Sequence, residues 1–325
     1  MSLSSKTKSA FNALALTSAV VLNTGRIPSR HKGVVLIEPT SVCNLKCPLC
    51  PTGTGTLERK NKYIDLDVLE RIIEITKPFA IAYVLNLFGE PMFHPEIGKI
   101  LAKTAHAPGW LSTNLSYDDK YAHELARWEH LHVICSIDTV KPESYSEYRR
   151  GGSWEKVMHN LDILAKGKCT VHPQFLVEKG HYESQVYEQF AEEHGIPKKD
   201  VIIKRKMENF RLDVAKEPRL GRCHSAYADL YFNCDGYLVP CCNNVRKDVY
   251  MQHINDLNTL EDIFSAPKCV AIRRRLANNK NVFPSCTDCD GLDFFKVQFP
   301  QYVHAAKSLI PWVTLDSDEP MKMKL

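Results

Sequence analysis

From Gly33 onward the chain alternates short apolar runs with stretches of helical periodicity, a pattern that few architectures accept. Val34-Val35-Leu36-Ile37, stopped by Glu38-Pro39, reads as a buried strand. Asp65 to Thr76 follows, with Leu66, Leu69, Ile72 and Ile73 on one helical face. Further strands are expected at Ala80–Phe88, Trp110–Leu115, Leu131–Ile137, Thr170–Val177 and Val201–Lys204. Helices are expected between them at Asp118–Trp128, Ser153–Ala165 and Tyr182–His194. Ser153 suits the N-cap of the second, whose Trp154, Val157, Leu161 and Leu164 share a face. Six strands separated by helices imply an α/β fold with a parallel sheet of right-handed βα units. A doubly wound sheet and a partial barrel both satisfy this periodicity.

After about Arg205 the pattern changes. Asp229–Cys234 and Tyr237–Cys242 flank Asp235-Gly236, a two-residue hairpin signal. Seven of the 12 cysteines fall between Cys223 and Cys289, so this stretch reads as a small metal-stabilised module appended to the α/β domain. A disulfide framework is the weaker reading, because such frameworks belong to small domains with poor cores and this chain has 325 residues. The expected organisation is an N-terminal helical extension over 1–32, the α/β domain over 33–206, the cysteine module over 207–292 and a tail over 293–325.

Lys6 and Lys8 precede an apolar stretch from Ala10 to Leu22 that superficially looks like a signal peptide. Asn12, Thr17 and Ser18 interrupt it and no small-residue cleavage site follows, so a short packing or interfacial helix is expected. No run reaches the ~18 apolar residues that a membrane span needs, and a cytoplasmic location is expected. The net charge of +4, without a run of five basic residues, gives no ground for a nucleic-acid partner.

Cys43-Asn44-Leu45-Lys46-Cys47-Pro48-Leu49-Cys50 is a C-x3-C-x2-C motif on the loop after the first strand. Three thiolates this close can hold three irons of a [4Fe–4S] cluster and leave the fourth open. Pro48 and Pro51 discourage the loop from collapsing into helix. Zinc more often takes a C-x2-C pair and a fourth protein ligand.

With these residues the chain resembles the radical S-adenosylmethionine (SAM) superfamily. The resemblance implies that the open iron is chelated by the amino and carboxylate groups of SAM, whose cleavage yields a 5′-deoxyadenosyl radical. Leu49 stands where the family often has an aromatic residue. Phe88-Gly89-Glu90-Pro91 looks like the family's G-G-E-P segment, with Phe in place of the first Gly. Glu90 and the backbone of Gly89 and Pro91 would then meet the methionine ammonium through a charge-assisted hydrogen bond. Ser112 and Asn114 end the next strand where the family places groups near the ribose or carboxylate. Ser136 and Asp138 end the fourth strand, and Arg149, four residues after Tyr145, is a candidate for the methionine carboxylate. The likeness covers about Gly33 to Lys206 and implies a partial (β/α)6 TIM-like barrel with its chemistry at the carboxyl ends of the strands.

The second cysteine set is Cys223, Cys241 in a G-x4-C context, and the pair Cys286-x2-Cys289. Four thiolates from these positions would fully ligate one further cluster, and a four-thiolate zinc ribbon fits the same residues. The arrangement resembles the family's Twitch domain, a shortened relative of the SPASM domain. Two further closely spaced cysteines expected of a full SPASM domain are missing after Cys289, so one auxiliary [4Fe–4S] cluster is expected. Among Twitch enzymes the order and spacing are most similar to those of dehydrogenases of aminoglycoside synthesis. Cys241 and Cys242 are adjacent and point to opposite faces of a strand, so one of them is a ligand and Cys241 matches. Cys234, Cys242 and Cys269 are left over, as small buried hydrophobes or as a hydrogen-atom donor.

The resemblance implies a radical SAM oxidoreductase acting on a small carbohydrate-like or aminocyclitol substrate, with the auxiliary cluster taking one electron. An epimerase with a cysteine hydrogen donor, a peptide-modifying maturase and a non-catalytic zinc or iron–sulfur binding protein remain open. A reductase such as flavodoxin or ferredoxin is the implied partner. Lys204, Arg205 and Lys206 close the barrel region with positive charge that suits a phosphate or carboxylate.

Overall fold

The structure is a computed structural model, and the described residues are 14–177, 184–205, 223–279 and 282–287. Strands β1 (Gly33–Ile37), β2 (Ala80–Val84), β3 (Gly109–Thr113), β4 (Leu131–Asp138), β5 (Thr170–Val177) and β6 (Ile202–Arg205) lie side by side in chain order, all parallel. A doubly wound sheet reverses its strand order at a switch point; this sheet has no reversal, and the partial barrel is the architecture observed.

The six expected strands are present, and the helices sit where the apolar periodicity requires. Leu66–Thr76 begins at Asp65, whose side chain accepts from the Asp67 and Val68 amides. Trp154–Ala165 begins at Ser153, whose hydroxyl accepts from the Lys156 amide. Two short helices, Ile97–Thr104 and Pro142–Tyr148, are additions to the expected set, too brief to show a long periodic stripe.

Burial alternates along β1 and β3. Val35, Ile37, Leu111 and Val133 are fully buried, while Val34, Leu36, Trp110 and Ser112 are only half-buried, as expected for one packed face and one open face. Near the strand starts the half-buried face is closed by a stack of Trp110 on His132 (4.3 Å between ring centres), with His132 Nδ1 3.0 Å from His172 Nε2. This closed floor leaves the opposite, carboxyl-terminal ends of the strands as the accessible mouth.

The cysteine-rich region is not simply appended. Strand β7 (Leu230–Phe232) pairs in parallel with β1 on its free edge, and β8 (Tyr237–Val239) and β9 (Gln252–His253) continue the same sheet antiparallel. The hairpin differs from the two-residue Asp235-Gly236 loop. The Gly236 amide donates to the Asn233 carbonyl (2.9 Å), which centres the turn on Cys234-Asp235. Gly236 follows at φ +83°, the left-handed residue of a bulged three-residue loop. At the N-terminus a helix over residues 14–21 buries Leu16, Ala19 and Val20 against Tyr227 and Ala277, so this apolar stretch is a packing helix.

Candidate iron–sulfur and cofactor site

Glu38 ends β1, and the chain then turns through Thr40, whose hydroxyl donates to the Lys62 carbonyl (2.7 Å), into the cysteine loop. The loop is pinned from several sides. The Cys50 amide donates to the Cys47 carbonyl, the Lys46 amide to the Arg150 carbonyl, and Asn44 Nδ2 to the Ser116 carbonyl (2.6 Å). The short helix Pro51–Thr54 packs so close that a Cβ on Gly53 would stand 2.5 Å from the Cys47 backbone. Cys43 and Cys50 are partly exposed and Cys47 is buried.

Gly89 and Glu90 are laid directly against this loop. Gly89 has φ +83°, and a Cβ there would lie 2.3 Å from the Thr40 carbonyl oxygen, so only glycine fits. The Glu90 amide donates to the Val42 carbonyl (2.7 Å). The Glu90 carboxylate is buried and accepts from the Thr113 hydroxyl, the Asn114 amide (both 2.8 Å) and the Met92 amide (3.3 Å). Burial raises its pKa to about 7 against the pull of those hydrogen bonds. Two carboxylate oxygens offer about four acceptor positions, so room remains for one more donor.

Asn114 Nδ2 donates to Asn44 Oδ1 (3.0 Å) and points at Cys43 Sγ (3.9 Å), while Leu45 N donates to the same sulfur (3.4 Å). Thr113 is the β3 residue that meets Glu90; Ser112 instead pairs with Ser136 (3.1 Å between hydroxyl oxygens). Arg149 is not a solvated surface arginine. Its Nε donates to Asp138 Oδ2, and Nη1 reaches Cys47 Sγ (3.9 Å). Desolvation works against its charge, yet Asp138 and Cys47 hold its pKa above the ordinary value. Asp138 sits at φ +68°, and its second oxygen, Oδ1, is buried without a hydrogen-bond partner. Pro91 opens the one-turn helix Pro91–Phe93.

Residues beyond the motifs hold this site. Asn160 is buried and donates to the Leu115 (2.8 Å) and Tyr117 (3.0 Å) carbonyls, bracing a loop in which Leu115 has φ +58°. The only sign of it in the sequence is a polar residue inside the apolar stripe of Val157, Leu161 and Leu164.

In the second set, Cys241 Sγ accepts from the Asn243 amide (3.4 Å), and the Cys223 amide donates to the Leu276 carbonyl. The buried Tyr231 hydroxyl feels Cys242, Cys241 and Cys223 together; burial first, then Asp229 and these sulfurs, keeps it protonated. Cys286 lies on the helix Pro284–Thr287, and Cys289 lies outside the described residues. Cys234 and Cys269 are buried, as small hydrophobes would be, whereas Cys242 is exposed. Lys204 at the end of β6 is within electrostatic range of Asp138 and Cys242. The Arg205 side chain and Lys206 lie outside the described residues.

The donor set suits a cluster. Burial, then Glu90 and its two neighbouring cysteines, push the Cys43 thiol up to about 12, so this thiol needs a cationic metal beside it to ionise. Among the described residues no three His, Cys, Asp or Glu side chains close on a point where one ion would sit. A cubane instead gives each of three irons its own corner and its own thiolate and leaves the fourth iron open. N–H groups aimed at Cys43 and an arginine aimed at Cys47 add the charge compensation that such thiolates need.

Residues 37–180 match the family model described as the radical SAM superfamily, and residues 223–290 match the SPASM model, described as an iron–sulfur cluster-binding domain. The chain carries a radical SAM domain followed by a SPASM-type domain, which implies SAM, a [4Fe–4S] cluster and auxiliary iron–sulfur binding. Among curated proteins it is similar to GTP 3′,8-cyclase of Hydrogenovibrio crunogenus, 28% identical over 169 residues, 50% of each chain. The same enzyme of Alkaliphilus metalliredigens is 28% identical over 161 residues, 48% of this chain and 50% of that one. The chain thus spans about half the length of these relatives.

Among solved structures, SuiB of Streptococcus suis bound to S-adenosylmethionine aligns with a TM-score of 0.55 at 14% identity, over 75% of this chain and 68% of that one. Native anSMEcpe with bound AdoMet aligns at 0.51 and 18%, over 85% and 99%. At such identities the likeness shows the fold. The finer resemblance to 2-deoxy-scyllo-inosamine dehydrogenase, drawn from cysteine spacing, is not carried by these matches, since the curated relatives named here are cyclases.

Proposed function

We propose that this chain cleaves SAM reductively at the Cys43–Cys47–Cys50 cluster and uses the resulting radical to abstract a hydrogen atom from a small polar substrate. The observation that carries the reading is the convergence on one loop of the cysteine triad, the Gly89-Glu90 segment and Asn114, with Arg149 reaching Cys47. Loaded with its cluster and SAM, such a site supplies a 5′-deoxyadenosyl radical at the barrel mouth. The protein's own part is placement. Glu90 accepts the methionine ammonium in its remaining acceptor position, and the free terminal N–H groups of Arg149 take the carboxylate. Asp138 Oδ1, buried and unpartnered, accepts a hydroxyl. Ser112, half-buried, and Ser136, buried, meet each other on β3 and β4.

Two outcomes for the substrate radical compete. Oxidation of a carbohydrate-like or aminocyclitol alcohol would pass one electron to a cluster at Cys223, Cys241, Cys286 and Cys289. The likeness to GTP 3′,8-cyclases over half of the chain favours instead a nucleotide whose radical closes a ring. Lys204 would then meet a phosphate. A reductase such as flavodoxin or ferredoxin supplies the electron, in a reducing compartment such as the cytoplasm. No helix among the described residues is long and apolar enough to cross a membrane.

The test is anaerobic reconstitution with iron and sulfide, reduction, and assay of 5′-deoxyadenosine, with Cys43, Cys47 and Cys50 replaced together by alanine as control. About eight irons, with 5′-deoxyadenosine lost in the triple variant, supports the proposal. Full iron loading without SAM cleavage sinks it. About four irons plus zinc removes the auxiliary electron acceptor and leaves the radical step standing.

A further inference from the structure

Glu38 and Arg59 form a buried ion pair, 0% and 2% exposed, that neither cysteine motif contains. The pair is bidentate: Arg59 Nε donates to Glu38 Oε2 (2.6 Å) and Nη2 to Oε1 (3.0 Å). Its remaining hydrogen bonds run to three other segments. Glu38 Oε1 accepts the Phe88 amide (3.1 Å), next to Gly89 and Glu90. Glu38 Oε2 accepts the Cys234 amide (3.0 Å) in the β7–β8 turn. Arg59 Nη1 donates to the Asn244 carbonyl (2.6 Å), and Asn244 Nδ2 donates back to the Cys241 carbonyl (2.7 Å). The guanidinium also lies over the Phe88 ring, 5.3 Å from its centre.

One carboxylate and one guanidinium therefore hold the segment leading into the SAM-side loop and the segment carrying Cys241. We infer that Glu38 and Arg59 are positioning residues that keep the SAM-binding loop and the auxiliary-cluster loop at a fixed separation. This inference rests on the reading that Cys223, Cys241, Cys286 and Cys289 hold a cluster. The physical reason is the burial. No water can replace a lost bond, so moving either loop leaves a charge or a backbone group unpaired inside the protein. A pair placed only for stability has no need to divide its bonds between two cofactor loops. Arg273 is such a case: equally buried, it donates to the Ala226, Phe264 and Ile263 carbonyls and touches neither loop.

Arg273→Lys is accordingly the control for Arg59→Lys. Both variants should lower the thermal midpoint. Only Arg59→Lys should weaken SAM binding to reconstituted protein, by about fivefold or more in calorimetry, about half the ~10-fold that a lost charge-assisted bond gives. Only Arg59→Lys should also change the line shape and midpoint potential of the auxiliary cluster, read by electron paramagnetic resonance in the Cys43/Cys47/Cys50→Ala background. Glu38→Gln, whose amide must turn an N–H toward a donor on one side or the other, should do the same and serves if the arginine variant does not fold. Should Arg59→Lys and Glu38→Gln shift only the thermal midpoint, as Arg273→Lys does, the inference is overturned. Zinc in place of an auxiliary cluster in the unmutated protein overturns the cluster reading instead, and the SAM-affinity comparison still decides the role of the pair.

Discussion

Glu90→Gln separates cofactor binding from folding. The Glu90 carboxylate accepts from Thr113, Asn114 N and Met92 N, and burial raises its pKa to about 7. Asn114 N and Met92 N can only donate, so an amide NH2 placed on either side leaves one buried N–H unpaired, a cost of about 1–3 kcal/mol. The substitution also removes a buried charge. A shift from 4.5 to about 7 corresponds to roughly 3 kcal/mol, so the two effects nearly cancel at pH 8. The sign follows from the raised pKa: the contribution of Glu90 to stability is fully present below pH 4.5 and is lost as pH rises through about 7. Relative to the unmutated protein, the glutamine variant should therefore gain stability between pH 5 and pH 8. Its affinity for SAM should fall about 10- to 100-fold, the loss of one charge-assisted hydrogen bond to the methionine ammonium. Calorimetric titration of reconstituted protein and thermal unfolding at several pH values measure both. An affinity within about twofold of the original would show that Glu90 does not meet the cofactor, and a pH-independent stability difference would refute its buried charge.

Asn160→Ala should cost about 2–4 kcal/mol in denaturant unfolding, because the Leu115 and Tyr117 carbonyls each lose a buried donor; a cost near zero would mean the loop braces itself. Cys241→Ser should lose the auxiliary iron and Cys242→Ser should retain it, by iron and sulfide analysis; the reverse pattern would assign the ligand to Cys242. His224 is buried, and desolvation lowers its pKa to about 4. A lowered pKa gives stability that is present above pH 6.5 and lost as pH falls toward about 4, here of order 3 kcal/mol. His224→Phe should flatten that acid limb of the stability curve, and an unchanged limb would place the acid sensitivity elsewhere.

Much of the scaffold is decided by local pattern. The apolar runs that became β1 to β6, the caps at Asp65 and Ser153 and the C-x3-C-x2-C loop after the first strand are all short-range features. Each depends on residues a few positions apart, and so can be read along the chain. The motif residues that meet at the barrel mouth were legible for the same reason. Three things were not. Periodicity is the same in a doubly wound sheet and in a barrel, so only the strand order, running unreversed from β1 to β6, decides between them. The cysteine module looks separate because it begins a new pattern, yet β7 pairs with β1, a contact that nothing in either strand announces. Glu38, Arg59 and Asn160 look like ordinary polar residues, since their importance comes from burial and from partners up to 196 positions away. Sequence alone determined where the strands run and that three cysteines cluster on the loop after the first of them. Only the tertiary structure decided which buried charges and amides hold them in place, because desolvation and long-range hydrogen bonding exist only once the chain has folded.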